Sequence, residues 1–212
     1  MQIALLGATG NVGQHITAEA VRRGHGVTAV ARHADSARNE DERVTLKCAD
    51  STAAFEVEDV ISDHDAVICA VGPAIDETPA MIVKTARSLA AAAMRAHVRR
   101  LVIVGDAGSL TVTPGVELLA TRGYPEELRE VALAHREALE VWRRVKDLDW
   151  TYVSPPAVLY PGARTGEYRV GHNEMLTDDH QQSRISVEDL AVAVVDQVET
   201  NSHVRERINV AY

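Results

Sequence analysis

The sequence predicts a doubly wound α/β fold on a parallel sheet, in one domain. Three observations predict it. Short apolar runs alternate with longer amphipathic segments along the whole chain. The first five runs show almost no polar alternation, as expected of strands covered by helices on both faces. The first run leads through three glycines, each three residues from the last, straight into an amphipathic segment. The strands read as QIALL (2–6), VTAVA (27–31), VTLKC (44–48), AVICA (66–70), RLVIV (100–104), WTYVS (150–154) and RINVA (207–211).

The segments between them read as helices. Asn11 to Arg23 puts Val12, Ile16, Ala20 and Val21 on one face. Residues 33–43 are polar and read as loop or a short turn, and 52–62 carries a weaker helical pattern. Thr78 and Pro79 supply an N-cap and first helical position for a helix running to about His97. From Pro125 to about Lys146, Leu128, Val131, Ala138, Trp142 and Val145 recur at three- and four-residue steps. Ser186 with Asp189 resembles a capping box before LAVAVVDQV. Residues 155–184 have little periodicity and are too long for a simple connection; such stretches often serve as lids or binding loops.

Composition removes several function classes. The 212 residues suffice for a large core, and 46% hydrophobic with 25% charged residues is ordinary for a globular chain. With 22 Lys+Arg against 31 Asp+Glu the net charge is -9, so nucleic acid would be repelled; the three arginines between Arg95 and Arg100 read as a solvated helix end. Cys48 and Cys69 sit in separate strands, which argues for two core thiols, no disulfide framework and a reducing compartment. Neither a basic leader nor an apolar span follows Met1, so the expectation is a cytoplasmic protein with no membrane partner. The nine histidines form no metal-ligand spacing, and no metal is expected.

The glycines then carry chemistry. GATGNVG (7–13) follows a strand, opens a helix and is followed about twenty residues on by a second strand, the arrangement of a dinucleotide site. Gly7 permits the tight turn, Gly10 lets backbone approach a diphosphate, and Gly13 allows close helix packing. Amides of the first helical turn then face the anion, aided by the helix dipole. At the end of the second strand, where NAD-preferring sites usually carry an acidic residue, stands Arg32, which suits a 2′-phosphate; NADP(H) is expected, with NAD(H) as the lesser coenzyme. His33 beside it either assists or does nothing. Asp50 either receives the adenine amino group, with Ser51 alongside, or caps a helix.

GATGNVG with Arg32 resembles the atypical short-chain dehydrogenases of the NmrA-like branch. LVIVGDAGSL (101–110), DWTYVSPPAVLYPG (149–162), RTGEYRVG (164–171) and SRISVEDLAVAVVD (183–196) are similar to the NADH-flavin reductase group, itself similar to biliverdin reductase B. The chain departs from that group at Asp106, where relatives carry glycine. The resemblance implies a Rossmann sheet of order 3214567 with a small C-terminal substrate lobe, coenzyme across the C-terminal strand edge, and hydride donation to flavins or quinone-like acceptors. It implies that Thr9, Asn11 and Val12 line the diphosphate, that Ala70, Val71 and Gly72 border the ribose, that Ser109 faces the nicotinamide, and that Pro155 and Pro156 flank its ring. FMN or FAD is then a substrate, and the chain a monomer or homodimer. Some members of the wider group are regulators, so a non-catalytic NADP(H) sensor is the rival reading.

Ordinary short-chain dehydrogenases reduce carbonyls with a Tyr and a Lys four residues later. Position i+4 from Tyr124, Tyr152, Tyr160 and Tyr168 is Leu128, Pro156, Arg164 and His172, so the pair is absent, which disfavours both alcohol dehydrogenases and sugar-nucleotide epimerases. A flavin or quinone needs no such acid, because its ring delocalises the charge. The polar candidates are His135, on the sheet-facing side of its helix, and Ser109. His135 is either a proton donor or a core histidine satisfied by a carbonyl; Ser109 orients the acceptor or carboxamide, or caps a turn. Tyr160, Tyr168 and Arg164 are candidates for contact with an anionic acceptor such as FMN.

Overall fold

The computed structural model describes residues 1–32, 41–74 and 77–212. In chain order the elements are β1 (Gln2–Leu6), α1 (Asn11–Arg22), β2 (Gly26–Ala31), β3 (Val44–Cys48), α2 (Ala54–Ile61), β4 (Ala66–Cys69), α3 (Ala80–Arg95) and β5 (Arg100–Val104). There follow β6 (Thr111–Thr113), β7 (Val116–Glu117), α4 (Glu126–Arg144), β8 (Asp149–Ser154), β9 (Val158–Tyr160), β10 (Arg169–Gly171), β11 (Arg184–Ser186), α5 (Val187–Thr200) and β12 (Glu206–Ala211). The main sheet has eight strands in the order β3-β2-β1-β4-β5-β8-β12-β10. The seven strands expected from the sequence are present and mutually parallel, in the implied order. An antiparallel edge strand, β10, is added on β12. Two small sheets, β6 with β7 and β9 with β11, lie in connecting segments.

Helices on both faces explain the apolar runs. In β1, Ala4 and Leu6 join the core under α2, α3 and α4, while Ile3 and Leu5 join the core under α1 and α5. Such strands are apolar along most of their length, because pleating sends neighbours to opposite cores. The edge strand β3 escapes this demand: Thr45 and Cys48 are exposed, so Cys48 is not the core thiol expected. Cys69 is buried, and burial pushes its thiol up to about 11, which leaves it unreactive. Leu128 also departs from expectation, half exposed in the first turn of α4; the helix meets the core only from Val131 onward. Arg100 likewise leaves the expected surface cluster, buried in β5, whereas Arg95 pairs with Glu58 and covers the Phe55 ring.

The helix caps are partly as expected. Thr78 gives α3 no side-chain cap; its carbonyl accepts from the Met81 amide instead. Ser186 Oγ does cap α5 by accepting from the Asp189 amide at 3.0 Å. The Asp189 carboxylate, however, turns to the 155–184 stretch, accepting from the Thr165 hydroxyl at 2.6 Å, the Gly166 amide at 2.8 Å and the Tyr212 hydroxyl at 2.6 Å. Burial opposes its ionisation, and those donors outweigh burial and hold its pKa below the usual range.

A second knot fixes the same region. Glu19 on α1 is 4% exposed and receives Arg22 and Arg23 from its own helix end and a bidentate Arg164 at 2.8 and 2.9 Å. Arg23 also reaches Asp196 and Glu199 on α5, each at 2.6 Å. Burial raises the Glu19 pKa, but the hydrogen bonds from Arg164, Arg22 and Arg23 win and hold it far below the ordinary glutamate range.

Glu19→Gln is expected to cost about 2 kcal/mol, because it removes charge-assisted bonds from a buried cluster, seen as a lower urea midpoint with unchanged slope. A depressed carboxyl stabilises the fold fully above the ordinary glutamate range and loses that contribution as pH falls, so the gap between wild type and variant should shrink on acidification. Equal midpoints at neutral pH would show the cluster to be energetically idle.

Candidate functional site

The chain runs from β1 outward to β3, then crosses back to β4, so β1 and β4 separate at their C-terminal ends. Such a switch point opens a crevice. A cleft of about 270 Å³ lies there, bordered by Gly7, Gly10, Arg32, Ser51, Val71 and Gly72, among others.

Each glycine of the first turn has a separate physical reason. Gly7 has φ +82°, and a Cβ on it would stand 2.5 Å from the Ala70 carbonyl oxygen. Its amide is held by the Val30 carbonyl at 3.2 Å, tying the turn to β2. Gly13 lies so close to the turn that a Cβ would fall 2.1 Å from the Gly7 oxygen; α1 packs against the turn itself, tighter than any side chain allows. Gly10 differs. It adopts φ -70° and ψ 162°, open to any residue, and its Cβ would meet only the Gly7 oxygen at 3.4 Å. Gly72 is equally unconstrained, with no atom of the described residues within 4 Å of a Cβ. Both border the cleft.

Gly10 is the N-cap of α1, with no side-chain cap. The first backbone bond of the helix runs from Gln14 to the Gly10 carbonyl at 2.9 Å, so the amides of Asn11, Val12 and Gly13 precede the intrahelical ladder. Thr9 also borders the cleft, its carbonyl accepting from the Gln14 side chain at 2.8 Å.

Arg32 lies where the sequence placed it, at the end of β2 on the cleft, with a partner no sequence pattern indicated: its guanidinium donates to the Glu77 carboxylate. The other oxygen of Glu77 accepts from the Ala74 amide at 2.9 Å. His33 lies outside the described residues. One Asp50 oxygen is occupied by the Thr52 amide and hydroxyl, both at 2.8 Å; this closes a turn ahead of α2, whose N-cap is Ala53. Ser51 is buried, its hydroxyl bonded to Thr85 on α3 at 2.9 Å.

The polar candidates separate. His135 of α4 faces the sheet, as expected, with Nδ1 3.0 Å from the Tyr152 hydroxyl of β8, which also donates to the His135 carbonyl at 3.2 Å. Burial holds the His135 pKa below its ordinary value against the opposing field of Asp106, so the imidazole is neutral at pH 7. Burial, then the charges of Asp106 and Cys69, push the Tyr152 phenol far above its usual range. Gly105 makes this arrangement possible: a Cβ there would sit 1.9 Å from the tyrosine ring. Asp106 itself folds back to accept the Gly108 amide at 2.5 Å, which shapes the loop where the chain departs from its resemblance. A small void of about 20 Å³ is bordered by His135, Tyr152 and Val71, and Val71 also lines the main cleft.

Ser109 is elsewhere. It lines a different cleft and its hydroxyl accepts from Arg207 at 2.9 Å. Pro155 and Pro156 close β8 and border neither cleft. The lid candidates are engaged on the α1 and α5 face: Arg164 with Glu19, and the Tyr168 hydroxyl with Asp196 at 2.5 Å. Tyr160 belongs to β9, paired with β11.

Comparison with known proteins agrees with this geometry. A family model described as NAD(P)H-binding matches residues 7–200. The uncharacterised protein YwnB of Bacillus subtilis is 35% identical, over 99% of this chain and 98% of its own. Among solved structures, a "putative epimerase" from Bacteroides thetaiotaomicron is 39% identical, with a TM-score of 0.92 over 100% of this chain and 96% of that one. A "putative NADH-flavin reductase" from Streptococcus pneumoniae is 31% identical, with a TM-score of 0.88 over 100% and 99%. A "putative exported protein" from Burkholderia pseudomallei is 41% identical, with a TM-score of 0.91 over the whole of both chains.

Gly13 and Gly10 should separate in stability measurements. Gly13→Ala is expected to lose about 3 kcal/mol, since its Cβ must displace backbone, whereas Gly10→Ala should stay within about 1 kcal/mol of wild type. Equal losses in chemical denaturation would contradict the distinct roles assigned to them.

Proposed function

This chain belongs to the NAD(P)H-binding family, and on that premise we propose that it is a cytoplasmic reductase passing hydride from NADPH to a flavin or quinone-like acceptor. The observation that carries the coenzyme assignment is the pair Gly10 and Gly72: both border the cleft, and nothing among the described residues requires either to lack a side chain. Residues kept bare toward a cleft leave room for a ligand that presses against backbone.

In this reading the amides of Asn11, Val12 and Gly13 bind the diphosphate, with the α1 dipole adding its field and Thr9 closing the turn beside them. Arg32 takes the 2′-phosphate, in competition with Glu77. The Asp50 carboxylate oxygen that does not serve Thr52 accepts from the adenine amino group, with Ser51 beneath it. Ala70, Val71 and Gly72 border the ribose and lead toward His135 and Tyr152. The bound coenzyme supplies a hydride from its reduced nicotinamide. The protein's part is alignment and exclusion of water rather than acid–base work, consistent with the absent Tyr/Lys pair.

His135, rather than Ser109, is the polar group this reading places at the acceptor end, since the Ser109 oxygen is held by Arg207. With the one Tyr152 proton given to the His135 carbonyl, Nδ1–H donates to the phenol oxygen, and the neutral imidazole offers its Nε2 lone pair to an N–H or O–H of the acceptor. Pro155 and Pro156, at the end of β8, are assigned to the nicotinamide side. The name of the Streptococcus pneumoniae neighbour supports the acceptor class.

Purified protein mixed with NADPH and FMN is expected to consume the reduced nicotinamide absorbance catalytically; stoichiometric binding without turnover on any flavin or quinone tried would favour an NADP(H) sensor. Arg32→Glu should weaken NADPH at least tenfold more than NADH, and Glu77→Gln should tighten NADPH selectively, by freeing the guanidinium. Equal effects on the two coenzymes in titrations would remove Arg32 from the phosphate site.

A further inference from the structure

A second cleft, of about 490 Å³, lies over α4 and shares no lining residue with the first. Arg207 of β12 lines it, 8% exposed and in register with Tyr152. Its four hydrogen bonds all go to neutral oxygens: Nη1 to the Ser109 carbonyl at 3.0 Å and Oγ at 2.9 Å, Nε and Nη2 to Asn173 Oδ1 at 3.1 and 2.8 Å. Among the described residues no carboxylate hydrogen-bonds this buried guanidinium; the charges of Glu117 and Glu140 reach it only through space, and burial outweighs them.

The carboxylates lining the same cleft are already matched. Glu117 pairs with Arg136 at 3.0 Å, Glu140 with Arg143 at 2.5 Å, and Glu137 with Arg87 at 3.4 Å. Among the described residues lining the cleft, Arg207 is thus the guanidinium left without a carboxylate partner. Arg100, the other buried arginine, is likewise bonded mainly to carbonyls, with the Asp149 charge acting on it through space, but it borders neither cleft. Donor capacity also remains on two residues that line the cleft. Nη2 has a second N–H beyond the one given to Asn173, and Ser109 Oγ, an acceptor from Arg207, keeps its own proton to donate.

We propose that this second cleft binds a small monocarboxylate, with one oxygen on Arg207 Nη2 and the other on the Ser109 hydroxyl. Two donors side by side suit the two oxygens of a carboxylate. One guanidinium charge matches one carboxylate, whereas a phosphate dianion would bring a second charge that no unpaired cation among the described residues lining the cleft meets. The site is independent of the coenzyme cleft, so it stands or falls separately from the reductase assignment.

The test uses a matched pair of probes, benzoate and phenyl phosphate, titrated into the full chain by calorimetry at constant ionic strength. Benzoate should bind saturably and phenyl phosphate at least tenfold more weakly. Arg207→Gln should weaken benzoate at least tenfold, and Ser109→Ala by a smaller factor. Should Arg207→Gln fail to fold, Ser109→Ala and the wild-type Arg207 Nε–H resonance, which benzoate should shift, decide the matter. No binding of benzoate, an unmoved resonance, or unchanged affinity in a folded variant would overturn the proposal. Tighter phenyl phosphate would overturn the choice of carboxylate, and displacement of benzoate by NADPH would overturn the independence of the cleft.

Discussion

The contact between Gly13 and the Gly7 carbonyl is the constraint on which the site depends. A Cβ at position 13 would stand 2.1 Å from that oxygen, so the first turn of α1 can lie against the β1–α1 turn only because no side chain intervenes. The left-handed Gly7 makes the turn tight enough, and Val30 fixes it to β2. Three amides at the start of α1 are thereby placed at the point where the sheet order reverses. Loosening that contact would turn α1 and the positive end of its dipole away from the cleft.

The two faces of the sheet divide the labour. On one, α1 and α5 are locked to the 155–184 stretch by the Glu19 and Asp189 knots. Arg164 and Tyr168 of that stretch are engaged there, with Glu19 and Asp196. On the other, α3 and α4 enclose the His135 and Tyr152 pair, and the charged second cleft opens beside it.

What the sequence made legible was local or periodic. Strand runs are continuous because two cores bury them, and the glycine spacing is fixed by backbone geometry within seven residues. Arg32 could be placed because it follows a strand end directly. The misreadings share a cause, which is that burial depends on neighbours distant in sequence. Cys48 looks like a core residue until β3 proves to be an edge, and Leu128 fits the α4 period but precedes the point where that helix meets the sheet. Partners were the least visible: nothing near Arg32 announces Glu77, nothing near His135 announces Tyr152, and nothing near Ser109 announces Arg207. A single cue was available for Tyr152, the Gly105 that makes room for its ring.

The central claim is that backbone amides at the start of α1 hold a dinucleotide diphosphate with Gly10 kept bare for it. Calorimetric titration of wild type and Gly10→Val with NADPH tests this most directly, with unfolding midpoints recorded on the same samples. The account predicts one bound coenzyme per wild-type chain and at least a tenfold loss of affinity in a variant that remains folded. Undiminished binding by Gly10→Val, or no binding by wild type, would contradict it.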